Sequence, residues 1–258
     1  MVMANNKLVE IINLTKRFEK LSVLENISID VPKGENLVVF GRSGQGKSVL
    51  LKCIIGLLTP DAGKIFIKGS DLAKLSVTEL NSLRKNIGFL FQGAALYDSM
   101  TVRENLEFPL KKHFPEMEQI TIDEKVINTL ELVSLEEAID KMPSELSGGM
   151  KKRIGLARSI ISEPELMLYD EPTTGLDPIT SKEISELIIN LQKKLNMTSI
   201  VVTHDLICAK IIADRAIFLH NAKIAYQGSL TELTNSADPF LKNFFSHELV
   251  NEKEFLDA

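Results

Sequence analysis

The sequence has no hydrophobic run long enough to span a membrane. A spanning helix needs about 18 or more apolar residues, and the best candidate, Val49 to Leu58, is interrupted by Lys52. Cysteine is scarce as well. Cys53 and Cys208 stand far apart in apolar segments, which excludes a disulfide framework and points to buried reduced thiols with no redox or metal chemistry. The N-terminal stretch MVMANNKLVEIINL lacks a basic region followed by an unbroken apolar run and a small-residue cleavage site, so no secretion signal is expected and the chain is expected to stay in the cytosol. Positive charge is not in excess: 30 Lys and Arg against 35 Asp and Glu give a net charge of −5, which argues against broad nucleic-acid binding. Internal repeats and low-complexity segments are missing too. What remains, 44% hydrophobic and 25% charged over 258 residues, is the composition of an ordinary folded protein large enough to bury its own core.

The apolar pattern divides the chain. Residues 7–31 carry short alternating runs, with Ile27, Ile29 and Val31 at period two, and predict strands of an antiparallel layer. Asn36 to Phe40 reads as a buried strand, Gly41 to Gly46 as a glycine-rich turn, and Lys47 to Leu58 as a helix stopping near Thr59-Pro60-Asp61. Strand-like runs follow at 64–68 and 87–91, and residues from about 93 to 160 are mostly helical in pattern. Leu166 to Tyr169 and Ser199 to Thr203 are short apolar runs separated by a helical pattern over 179–195, which implies a parallel sheet with crossovers. The predicted class is α/β. Near the C-terminus, Phe240, Phe244, Phe245 and Phe255 account for four of the twelve phenylalanines. Phe240 with Phe244, and Leu241 with Phe245, stand at i, i+4, so a short helix would present an apolar face to its own domain or, equally, to another chain.

Three segments carry chemistry. Gly41-Arg42-Ser43-Gly44-Gln45-Gly46-Lys47-Ser48 matches G-x-x-x-x-G-K-[ST] between an apolar strand and a helix start. Glycines there let backbone N–H groups curl around α- and β-phosphates, the helix N-terminus adds its dipole, Lys47 reaches the β- and γ-phosphates, and the Ser48 hydroxyl can ligate Mg²⁺. Leu166 to Glu171 is an apolar strand ending in two carboxylates. Asp170 is expected in the Mg²⁺ shell, and Glu171, one residue on, is expected to orient the attacking water or accept its proton. Leu146-Ser147-Gly148-Gly149-Met150 opens a helix with a Ser N-cap and two glycines, a second anion cradle unless it is a plain cap. Elsewhere, Lys151-Lys152-Arg153 reads as a solvated face, and His113, His220 and His247 have no metal-ligand spacing.

In order and spacing, Gly41 to Ser48, Gln92, Leu146 to Met150, Leu166 to Glu171, Gly175-Leu176-Asp177 and His204 resemble the ATP-binding cassette (ABC) ATPases over residues 7 to about 230. The resemblance implies a P-loop NTPase with a RecA-like core, an N-terminal antiparallel layer and a helical subdomain at about 93–160. An ATPase domain would cover 1–235, and a tail would cover 236–258. It implies ATP and Mg²⁺ as ligands, with Gly41 through Val49 on the phosphates, Ser48, Gln92 and Asp170 near the metal, and Glu171, His204 and Gln92 in catalysis. Ser147, Gly148 and Gly149 would contact ATP across a homodimer interface that Asp177 lines. Phe18 would stack on adenine, although a core Phe explains that position as well. Met150, the run Gln92-Gly93-Ala94-Ala95-Leu96 and Pro178-Ile179-Thr180 look like the ATPase of MCE-linked (Mla-type) phospholipid transporters, in which the C-terminal extension docks on the neighbouring ATPase. That implies transmembrane permease subunits, an MCE-domain protein, an accessory subunit and a peripheral place on the cytoplasmic face of the inner membrane. Leu176 departs from the Mla-type pattern and leaves other cargo open, as does a cassette that regulates a membrane partner without moving substrate.

Overall fold

The computed structural model describes residues 6–245. The expectations for Phe255, His247 and the rest of 246–258 lie outside the described residues. A hairpin of two 12-residue strands, β1 (Lys7–Phe18) and β2 (Leu21–Pro32), pairs through β1 with β4 (Ala62–Ile67), and β5 (Ser70–Asp71) follows on the edge, giving an antiparallel sheet ordered β2-β1-β4-β5. The period-two run of β2 buries Ile27, Ile29 and Val31 as expected of a half-buried strand. The second sheet has the order β10-β9-β3-β8-β7-β6 and is built from β3 (Asn36–Phe40), β6 (Ile87–Leu90), β7 (Leu166–Asp170), β8 (Thr198–Val202), β9 (Arg215–His220) and β10 (Lys223–Gly228). Its strands are parallel except β10, which turns back antiparallel on β9.

A parallel sheet is covered on both faces, so its strands are apolar without alternation. β3 shows why: Leu37 and Val39 join a core shared with the antiparallel sheet and α1 (Lys47–Ile54), while Val38 and Phe40 join a core shared with the helices on the other face. Those helices are α3 (Val102–His113), α4 (Gln119–Val133), α5 (Gly148–Ile160), the crossover α6 (Pro178–Leu195) and α7 (Leu206–Ile212); α2 (Val77–Arg84) and α8 (Leu230–Thr234) are short peripheral turns of helix. Residues 239–245 are helical too. No helix among the described residues is long and apolar enough to cross a membrane.

One predicted boundary is corrected. α1 stops at Ile54, not near Thr59-Pro60-Asp61, because Gly56 takes φ +72° and the Leu57 N–H donates to the Lys52 carbonyl at 2.8 Å while the Gly56 N–H donates to the Cys53 carbonyl at 3.0 Å. This left-handed glycine cap ends the helix before the proline can.

Candidate active site

The strands of the parallel sheet end together, and the site is built on those ends. After Phe40 the chain must turn at once into α1, and it does so through Gly46, the helix N-cap, at φ +89°. A Cβ at Gly46 would lie 2.6 Å from the Val23 carbonyl oxygen, so only glycine fits the close approach of β2. Gly46 offers no side chain to cap α1, so the helix N-terminus lacks a side-chain cap and can receive an anion. The Lys47 ammonium, buried, arches back to donate to the Gly41 carbonyl at 2.7 Å and stands 3.2 Å from Glu171 Oε1. Ser48 Oγ donates to Asp170 Oδ1 at 2.8 Å. A hydroxyl and a carboxylate held together are hard oxygen donors of the kind Mg²⁺ takes alongside substrate phosphates. No cluster of three or more His, Cys, Asp or Glu side chains that could hold a metal occurs among the described residues.

The two adjacent carboxylates differ. Burial raises the Asp170 carboxyl, and the Ser48 hydrogen bond and nearby lysines offset only part of it. Burial also pushes Glu171 upward, but the hydrogen bond from His204 and the charge of Lys47 outweigh it and hold the group below the usual carboxylate range. His204 Nδ1 lies 2.8 Å from Glu171 Oε2, and Thr174 Oγ1 donates to the same oxygen at 3.4 Å. Glu171 is thus ionised, oriented on three sides and left-handed in backbone at φ +50°, with its N–H donating to the Val202 carbonyl at 2.8 Å. The surrounding cleft of about 680 Å³ is lined by residues 42–49, Phe18, Val23, Gln92, Glu171, Thr174, His204 and Phe244. Phe18 is 44% exposed at its edge, so it is no core residue.

Ser147, Gly148, Gly149 and Asp177 are elsewhere. They line a separate concavity with Gly175 and Leu176. Ser147 Oγ caps α5 by accepting from the Met150 N–H at 3.2 Å, and Asp177 caps α6 by accepting from the Thr180 N–H at 3.0 Å. The two predicted anion cradles of one chain therefore do not share a pocket.

Lys152 overturns the reading of 151–153 as a solvated face. It is 5% exposed and its ammonium donates to the Gln92 carbonyl and, at 3.4 Å, to the Glu171 carbonyl, tying α5 to the segments after β6 and β7. Burial lowers its pKa against the pull of Glu171 and Asp170. The signal was its place four residues before Leu156 and eight before Ile160, both buried on the inner face of α5. Arg153 does face outward, ion-paired with Glu183 at 2.9 Å. Thr174, Val23 and Phe244 also line the cleft and carried no motif.

A family profile described as ABC transporter matches residues 24–174. The chain is 40% identical over 244 residues to the intermembrane phospholipid transport system ATP-binding protein MlaF of Haemophilus influenzae, covering 95% of this chain and 92% of that protein. It is 38% identical over 238 residues to the probable ribonucleotide transport ATP-binding protein mkl of Mycobacterium leprae, covering 92% of this chain and 68% of that protein. Among solved structures, the dimeric post-hydrolysis state of the ATP-binding cassette MJ0796 bound to ADP and Pi superposes with a TM-score of 0.78 at 31% identity, over 86% of this chain and 98% of that one.

Proposed function

The chain belongs to the ABC transporter family, as an ATP-hydrolysing cassette, and from that premise we infer that it powers a separate membrane permease whose cargo is phospholipid. The observation that carries the catalytic reading is the joined set Lys47, Ser48, Asp170, Glu171 and His204 around one helix N-terminus. Residues 41–49 hold the phosphates of ATP, and Phe18 offers its exposed ring to the adenine. Ser48 and Asp170, with Gln92, would hold Mg²⁺, which would neutralise phosphate charge when bound. Glu171, kept ionised, accepts the proton of the attacking water, while His204 orients Glu171 and reaches toward the γ-phosphate.

The separation of the second cradle from the cleft supports a homodimer in which Ser147, Gly148 and Gly149 of one subunit close on ATP held by the other, with Asp177 at the interface. ATP then favours closure because only the closed pair gives it contacts from both subunits, the differential affinity that a population shift requires. Glu171→Gln should retain ATP binding, lose turnover by about 10²- to 10⁴-fold and accumulate an ATP-bound dimer on gel filtration; undiminished hydrolysis would overturn the assignment.

The likeness to MlaF over nearly its whole length supports the phospholipid cargo. The implied partners are the permease, an MCE-domain protein and an accessory subunit, with the ATPase peripheral on the cytoplasmic face of the inner membrane. The likeness to mkl favours a second reading, ribonucleotide as cargo. Purification with its permease, reconstitution into vesicles, and measurement of ATP-dependent movement of labelled phospholipid against labelled ribonucleotide decides between the two.

A further inference from the structure

The last helical segment among the described residues, 239–245, packs on the body of its own subunit and touches the phosphate loop. Its start is locally determined: Asp238 Oδ1 accepts from the Phe240 N–H at 2.8 Å and the Leu241 N–H at 3.1 Å, and Pro239 occupies the first helical position. Its apolar face buries Leu241, Phe244 and Phe245. Phe245 meets Phe40 edge to face with centroids 5.4 Å apart, and Phe218 of β9 packs edge to face against Phe240 and Phe244 at 5.7 and 4.9 Å. Phe240 lies 3.9 Å from the His220 ring on one side, and the Arg42 guanidinium sits 5.2 Å from its centroid. Phe244 also lines the nucleotide cleft.

These contacts bracket Gly41. Phe40, the last residue of β3, is held by Phe245; Arg42, the second residue of the loop, is held by Phe240. Gly41 itself has no room to shift toward β9, since a Cβ there would stand 2.8 Å from the Leu219 carbonyl oxygen. The shape of the loop depends on Arg42, because its carbonyl accepts from the Gln45 N–H at 3.2 Å and from the Lys47 ammonium at 3.4 Å. An exposed arginine left to itself samples many rotamers. Over an aromatic face it keeps its charge at the mouth of the cleft, where ATP phosphates arrive.

We propose that residues 238–245 are a clamp on the phosphate loop of their own subunit, with Phe240 and Phe245 as positioning residues that fix Arg42 and Phe40 on either side of Gly41 and thereby set the affinity for ATP. The proposal rests on the ATPase reading and adds an element outside its motifs. It also separates the C-terminal segment's work within one subunit from docking between subunits.

The test measures binding of a fluorescent ATP analogue and steady-state hydrolysis on the full chain. Phe240→Leu should weaken binding about three- to tenfold, the range of a partly desolvated cation–π contact, raise KM in parallel and leave kcat within about twofold. Phe240→Tyr, which keeps the ring, should bind as the wild type does. Arg42→Met alters an exposed side chain, probes the same contact from the other side if Phe240→Leu fails to fold, and should weaken binding at least as much. The double variant should lose no more than Arg42→Met alone. Wild-type affinity in Phe240→Leu or Arg42→Met, or losses that multiply fully in the double variant, would overturn the clamp while leaving the ATPase reading intact. Absence of analogue binding by the wild-type chain would instead overturn both.

Discussion

Single side chains in this protein take their chemistry from how deeply they are held. Asp170 and Glu171 are neighbours in sequence with opposed shifts: burial is the largest effect on both, but at Glu171 the His204 hydrogen bond and the Lys47 charge together outweigh it. Pairs pushed apart in this way carry distinct roles in one site. At Cys53 and Cys208 burial is the leading cause, and it pushes their thiols up to about 11 and about 12. Both should therefore resist alkylation at pH 8 in the folded chain and react once the chain is unfolded in guanidinium, which mass spectrometry of the labelled protein reads directly. The sign for stability follows. A thiol harder to ionise folded than unfolded has no effect below its ordinary value of 9.0, and stability falls as pH rises from there through the folded value. Replacement of both cysteines by alanine should flatten that alkaline decline; an unchanged slope would assign it to other groups.

At the scale of elements, the spacing between α5 and the edge strand β6 is set by a missing side chain. A Cβ on Gly88 would lie 2.4 Å from the Ser159 carbonyl oxygen and 2.2 Å from the Met167 sulfur. The sulfur can swing away, but the carbonyl is helix backbone and cannot. Gly88→Ala should push α5 off the sheet at a cost of about 1–3 kcal/mol, lowering the thermal midpoint by several degrees in a chain of this size. Because α5 also delivers Lys152 to Gln92 and Glu171, hydrolysis should fall more than ATP binding. Equal losses of both would mean that α5 supports the fold alone.

The whole molecule presents two separate concavities, and on the proposed function ATP brings these unlike halves together between subunits. The cleft holds residues 42–49 of the phosphate loop and Glu171, while Ser147 and the two glycines open on another concavity. Ser147→Arg places bulk and charge at that second surface and far from the core. Binding of ATP to one subunit should survive, whereas the ATP-dependent dimer and hydrolysis should be lost. In the Glu171→Gln background, where the closed pair would accumulate, the added Ser147→Arg should return the protein to a monomer on gel filtration; a persistent dimer would rule out this surface as the interface.

The sequence by itself determined the phosphate loop, the strand that ends in Asp170 and Glu171, the Ser147 cap and the α/β class, because each is a local device: a turn needing glycine, a helix N-terminus, an apolar run of the right period. What only the tertiary structure decided has its partners far away in the chain. Lys152 looked solvated until α5 was laid against Gln92 and Glu171, 60 and 19 residues distant. Gly56 ended α1 through hydrogen bonds that outran the proline signal. The phenylalanines at 240, 244 and 245 had an apolar face on which the helical period was plain, but not what covered it. Periodicity states that a face must be buried, and burial energy has no direction. The choice of Phe40, Phe218 and Arg42 as the cover came from the strand order that sets β9 beside β3, a contact between residues about 180 positions apart that no local pattern encodes.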